Sequence, residues 1–195
     1  MKGILQVLVI VLAPVLCAAE ESKKEDEKEP LLAKEVFDVS TNEWYSKHFN
    51  AMKEPALSPL AKDKEAVVYR FTCLRTFDKP FAIKITKTKD GYLLVRKILS
   101  GKGGYEPGKL QFSGEMRLKP DALAAFEKLL ADEKFQDWKD EEESGGLDGS
   151  QWIVEVVKNG NYKVVDRWSP REGTPTRRIG EAFLALAKWK PEELY

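Results

Sequence analysis

From Ala66 onward the apolar residues of this chain recur at every second position, and short polar turns break the recurrence. Alternation sends successive side chains to opposite sides of an extended backbone, so a chain patterned this way has to build a sheet and bury it. Ala66–Thr76, Phe81–Thr88 and Tyr92–Leu99 read as three strands, with Lys89-Asp90-Gly91 turning the second into the third. Lys109–Leu118 reads as a fourth, with Leu110, Phe112 and Met116 on one side and Gln111, Ser113, Glu115 and Arg117 on the wet side. Gln151–Lys158 and Tyr162–Trp168 are two more, joined by Asn159-Gly160. Both positions of that turn require positive φ, which these two residue types tolerate best.

Three segments switch to the helical period. Ser40 and Glu43 have capping-box spacing ahead of Trp44, Tyr45, His48, Phe49 and Met52, and Pro55 and Pro59 stop the helix. Pro120 opens a second helix with the stripe Leu123, Phe126, Leu129 and Leu130, over whose end Phe135 and Trp138 close. Thr174-Pro175 caps a third, carrying Ile179, Phe183 and Leu186. The expected architecture is α+β: a mainly antiparallel sheet of about six strands with helices packed on one face, in the order α-ββββ-α-ββ-α.

The N-terminus reads as an export signal. Lys2 precedes an apolar run, Ile4–Leu16, too short to span a bilayer, and Cys17-Ala18-Ala19 supplies small residues for cleavage. Residues 1–19 are thus expected to be a signal peptide, 20–34 a charged flexible linker, and 35–195 a single domain. The expected location is periplasmic or extracellular. A lipid anchor at Cys17 is a minor alternative, because Pro14 and Leu16 fit a lipobox poorly. Removal of Cys17 leaves Cys73 alone, which excludes an internal disulfide and a cysteine zinc site. Lys and Arg number 32, and so do Asp and Glu, so no basic excess is present to hold a nucleic acid. No second stretch is apolar enough to span a membrane, and no cofactor is implied.

Gly103 through Lys109 satisfies GxxxxGK, the phosphate-binding loop pattern. Leu110 stands where that loop needs a magnesium-binding hydroxyl, and a strand follows where it needs a helix. A glycine-rich connection is the plainer reading. An anion nest of backbone N–H groups beside Lys109 is the intermediate one. In Ser144–Trp152, Asp148 is a turn residue, a general acid or a metal ligand. Asp166 and Arg75 pair if their strands are neighbours. Cys73 lies in an alternating run and reads as a buried small hydrophobe. His48, the only histidine, reads as a packed helix residue.

Four strings occur in a fixed order: Tyr69-Arg70-Phe71 with Leu74-Arg75-Thr76-Phe77, Gly103-Gly104-Tyr105-Glu106-Pro107-Gly108-Lys109-Leu110, Leu147-Asp148-Gly149 with Trp152, and Asp166-Arg167-Trp168-Ser169-Pro170. Together they resemble a family of small, uncharacterised, exported bacterial proteins, over about Val67–Leu186. The resemblance implies bacterial origin and one domain. It brings no activity, cofactor or catalytic residue.

The functional expectation is a non-enzymatic exported domain that binds an envelope or extracellular partner through a mixed-charge patch of Arg75, Tyr105, Glu106, Lys109, Asp148 and Arg167. The rivals are an envelope hydrolase using Asp148 or Glu106 as its acid, and a structural lipoprotein anchored at Cys17.

Overall fold

The computed structural model describes residues 38–139, 146 and 148–195. The leader with Cys17, the charged linker, residues 140–145 and Leu147 lie outside the described residues. The elements run α1 (Val39–Met52), β1 (Val68–Arg75), β2 (Phe81–Thr88), β3 (Gly91–Leu99), β4 (Leu110–Leu118), α2 (Pro120–Asp132), β5 (Ser150–Lys158), β6 (Asn161–Trp168) and α3 (Pro175–Leu186). Two 3₁₀ turns, Ser58–Lys62 and Phe135–Asp137, sit between them. The six strands form one sheet in the order β4-β3-β2-β1-β5-β6, antiparallel throughout, so class and element order match the sequence reading. No described helix is long and apolar enough to cross a membrane.

β1 sits at the centre of the sheet, and all eight of its residues are buried. Its odd-numbered side chains Tyr69, Phe71 and Cys73 join Phe81, Ile83, Trp152 and Val154 beneath α2 and α3. Phe71 lies 4.9 Å from the Trp152 ring, and Phe126 of α2 lies 4.7 Å from Phe183 of α3. α3 comes this close because it carries Gly180 at the contact: a Cβ there would sit 2.1 Å from the Trp152 ring. Cys73 is fully buried in this layer and its thiol is pushed up to about 12, first by burial, so it is inert packing as expected.

Three expectations need correction. Helices do not cover one face only. α2 and α3 share a face, but α1 lies on the other, where Tyr45 and Phe49 pack on Leu74, Ile153 and Val164. The cap of α1 is Asp38 rather than Ser40. The Asp38 carboxylate accepts from the Thr41 N–H (3.0 Å) and from both the Ser40 and Thr41 hydroxyls (2.5 Å each). A carboxylate there also meets the positive end of the helix dipole, which a serine hydroxyl cannot do as well. Finally, Leu110 and Phe112 face opposite sides of the sheet. A bulge lets Ile98 pair with Phe112 and Leu99 with Leu110, leaving Gln111 as the extra residue. Leu110 therefore joins Met52, Ala82 and Leu99 on the α1 side.

α1 ends before the prolines. Lys53 turns left-handed (φ 54°) and its N–H returns to the Asn50 carbonyl, while the Glu54 N–H reaches the Phe49 carbonyl at 2.9 Å. This reversal carries Glu54 under the sheet, into a polar layer that the sequence reading did not foresee.

Candidate functional site

The end of the sheet where β1 finishes collects the conspicuous strings. The Gly103 N–H donates to the Arg75 carbonyl (2.8 Å) and to that of Asp78 (3.1 Å), and the Gly104 N–H donates to Thr76 (3.1 Å). Gly103 is glycine because a Cβ would lie 2.4 Å from the Arg75 nitrogen. Thr76 and Gly149 exchange hydrogen bonds, and so do Ser150 and Ser169, which ties the start of β5 to the ends of β1 and β6. The motifs are near in space because they lock one end of the sheet together.

That geometry removes the nest reading of the glycine loop. Besides Gly103 and Gly104, the consecutive N–H groups of this loop are spent on protein carbonyls, Gly101 on Pro107, Lys102 on Glu106, and Tyr105 on Lys102, and the Lys109 N–H donates to the Ser100 hydroxyl. β4 follows the loop, so no helix terminus faces a phosphate there. The Asp166–Arg75 pair is also excluded. β5 separates their strands, and the two side chains leave opposite faces. Asp166 is instead held by the Tyr45 hydroxyl and the Gln151 amide.

The six predicted patch residues share this end of the sheet but differ in exposure. Arg75 is buried, and its guanidinium donates to the carbonyls of Glu193 and Lys79, both at 2.7 Å, above the Phe81 ring. It thereby pins the C-terminal segment. Ser150 and Trp152 hold Tyr195, and Arg177 holds Leu194. Tyr105, Glu106 and Lys109 stand exposed on the glycine loop, Tyr105 at 58% with its ring 6.3 Å from that of exposed Phe77. Asp148 is exposed in the bend before β5. Arg167 is half-buried and donates to the Asp166 and Lys139 carbonyls, each at 2.7 Å.

Arg167 opens onto a wide cleft. It holds about 690 Å³ between the end of β6, the start of α3 and the chain after the Phe135–Asp137 turn. Trp138, Trp168 and Pro170 give it apolar walls, Lys139, Arg167 and Arg171 give it positive charge, and no described carboxylate lines it. The Trp138 ring is fixed by its N–H bond to the Glu133 carbonyl (2.8 Å) and by packing on Phe135. Of this lining the sequence reading named only Arg167 as a site residue. Trp138 reads as a lid on α2, and Arg171 lies one residue beyond the Asp166–Pro170 string. Its signal was a second arginine flanking Trp-Ser-Pro, in a stretch too irregular to read as helix or strand.

The other missed cluster lies under α1. The Arg70 guanidinium meets Glu155 through two parallel bonds of 2.5 and 2.7 Å, and donates to the Pro55 carbonyl at 2.8 Å. Its ring neighbour is Phe49, 4.4 Å away. Glu54 takes Lys84 and Lys97 at 2.6 Å each, with Arg70 at 3.5 Å. Burial would raise the Glu54 carboxyl, but Lys84, Lys97 and Arg70 outweigh it and hold it below its ordinary value. The detectable signal was a charged residue inside each of two buried strands, since such charges are found buried only when paired. These carboxylates are fully engaged in ion pairs, and they close the interior rather than line a cleft.

His48 is fully buried, as a packed helix residue should be. Its Nδ1 faces the Trp44 carbonyl at 3.1 Å, its Nε2 makes no close hydrogen bond among the described residues, and burial lowers its pKa. Among the described residues, no group of three or more His, Cys, Asp or Glu side chains converges as a metal site. No known protein-family model matches the chain, and no curated protein does.

Proposed function

We propose that the chain is an exported, non-enzymatic binding domain that works in the envelope or outside the cell, and that its ligand occupies the cleft at the end of β6. The observation that carries this reading is the combination of two indoles with Lys139, Arg167 and Arg171 around about 690 Å³. Sites of this size, with apolar walls and a few polar groups, suit small molecules or the end of a polymer chain. Indole faces hold flat apolar surfaces, and clustered cations in a cleft draw anions. The ligand class that fits both is a ring compound bearing a carboxylate, such as an acidic sugar. The export half of the reading rests on the leader sequence, Met1–Ala19.

Titration of the full chain with polygalacturonate and with neutral dextran, followed by tryptophan fluorescence, tests the site. The expected result is a saturable change with the acidic polymer alone, lost in W168A and weakened at least tenfold in R171E, with constant reducing ends throughout. An equal response to dextran would refute the anion preference. Release of new reducing ends would return the hydrolase.

A further inference from the structure

The two edges of the sheet are treated differently. β6 is flanked by the Ser58–Lys62 turn, and the backbone after the second 3₁₀ turn is bonded to it through Lys163 and Arg167. β4 packs chiefly on β3, and among the described residues no other element packs closely along its outer side. It is nine residues long and contains no proline, and its one bulge is confined to Gln111. An edge of that kind offers a row of main-chain donors and acceptors to another strand, and proteins ordinarily blunt it.

The side chains of β4 say which strand would fit. In an antiparallel pair, directly opposite residues project on the same face. When a strand pairs with a copy of itself about a two-fold axis through Met116, Glu115 falls opposite Arg117 and Arg117 opposite Glu115. Gly114 falls opposite Leu118, and Ser113 opposite Lys119. Opposite charges meet at both places, and the small residue meets the large one. Moving the axis to Glu115 would set two glutamates against each other; moving it to Gly114 would pair each glutamate with Ser113. Both charged side chains are exposed on the strand. Among the described residues Arg117 is engaged only by Asp90, at its carbonyl (3.4 Å) and its carboxylate (3.5 Å), with both side chains largely in water, contacts that yield easily to a better one.

We propose that β4 is the self-pairing edge of a two-fold dimer centred on Met116, in which two six-stranded sheets become one continuous sheet. The occupant of the edge is a second copy of this chain. Main-chain bonds supply the affinity, and the paired Glu115 and Arg117 fix the register. The ligand cleft borders the opposite edge strand, so the dimer leaves it open and the proposal stands independently of the ligand reading.

The test is light scattering on the full chain during size-exclusion chromatography. The wild type should elute with twice the chain mass. E115R and R117E should each fall to the chain mass, because every opposed pair is then alike in sign. The double variant E115R/R117E should return to twice the chain mass. An equimolar mixture of the two single variants should also dimerise, because E115R strands carry only arginine and R117E strands only glutamate at these positions. Unfolding midpoints of the single variants should match the wild type, which separates loss of pairing from loss of fold. A wild type that stays monomeric at its highest soluble concentration overturns the proposal and leaves the edge to an extended segment of another protein. Single variants that remain dimeric, or a mixture that fails to reassociate, overturn it equally.

Discussion

The two faces of the sheet are closed by opposite kinds of chemistry. Beneath α2 and α3, Phe71, Phe81, Trp152, Phe126 and Phe183 interlock, and contact geometry decides the packing. Beneath α1, the same strands present Arg70, Glu155 and Asp166, which α1 and the segment after it meet with Tyr45 and Glu54. Apolar packing is tolerant of sequence but intolerant of volume. A buried ion cluster tolerates neither the loss of one partner nor a change of protonation, because desolvation leaves an uncompensated charge. One face should therefore respond to size and the other to charge.

The largest effects come from breaking each face at its centre. Phe71→Ala should cost about 3–5 kcal/mol by urea unfolding, from lost burial and the cavity left among three aromatic rings. Arg70→Ala should cost a similar amount, about 3–5 kcal/mol, because Glu155 is then buried without its guanidinium. The two differ in rescue. R70M/E155L should recover most of the Arg70→Ala loss, since a packed apolar pair replaces the ion pair while Lys84 and Lys97 keep Glu54 satisfied. No change to the charges of the other face should rescue Phe71→Ala. A double variant as unstable as Arg70→Ala would mean that the ion pair is worth more than the packing able to replace it.

Gly180→Ala tests the apolar face by adding volume. The new methyl would meet the Trp152 ring at 2.1 Å, so helix or indole has to move, at about 1–3 kcal/mol. A cost under about 0.5 kcal/mol would show that α3 slides on the sheet freely and that volume is not what governs this face.

How far the fold could be read follows the same division. Strand alternation, the Asn159-Gly160 turn and the apolar stripes of α2 and α3 are local signals of the aromatic face, and they located every strand. The α1 face depends on pairs distant in sequence. Arg70 and Glu155 are 85 positions apart, and nothing local says that β5 will lie beside β1. The apolar residues of α1 read correctly as a buried face, yet they do not say which side of the sheet receives them. The candidate site was legible only in part for a related reason. Arg75 and Arg167 look equivalent in the sequence, both at the C-terminal ends of strands. Both guanidiniums donate to two backbone carbonyls at 2.7 Å, but Arg75 is buried by doing so, whereas Arg167 stays half-buried on the wall of a cleft.

Acid should weaken the α1 face before it touches the other. Burial holds His48 below its ordinary value of 6.5, so the unfolded chain binds the proton more readily than the folded one. Stability then rises with pH through this range, and it falls as pH drops below about 6.5, by at most about 1.4 kcal/mol per pH unit for one proton. Glu54 acts lower. Its carboxyl is depressed in the fold, so its contribution is present above the ordinary value of 4.5 and is lost as pH falls through the folded value. Urea midpoints at pH 7.5, 5.5 and 4.0 separate the two. H48N should flatten the upper interval and leave the lower one steep. Equal slopes in wild type and H48N between pH 7.5 and 5.5 would remove His48 from the account.

The smallest expected effect lies at the rim of the ion cluster. Lys97 reaches one oxygen of Glu54 at 2.6 Å, Lys84 reaches the other at the same distance, and Arg70 stands 3.5 Å from the latter. Removing Lys97 therefore leaves the carboxylate two cations, and Lys97 itself keeps some contact with water, with 14% of its side chain exposed. Lys97→Met should cost about 0.5–1 kcal/mol. Added salt should shrink that cost, because a charge at the rim is screened where a buried one is not. Arg70→Ala, measured in the same salt series, should keep its full cost. If Lys97→Met is as damaging as Arg70→Ala, or equally insensitive to salt, the cluster acts as one unit in which every member is interior, and the distinction between its rim and its centre fails.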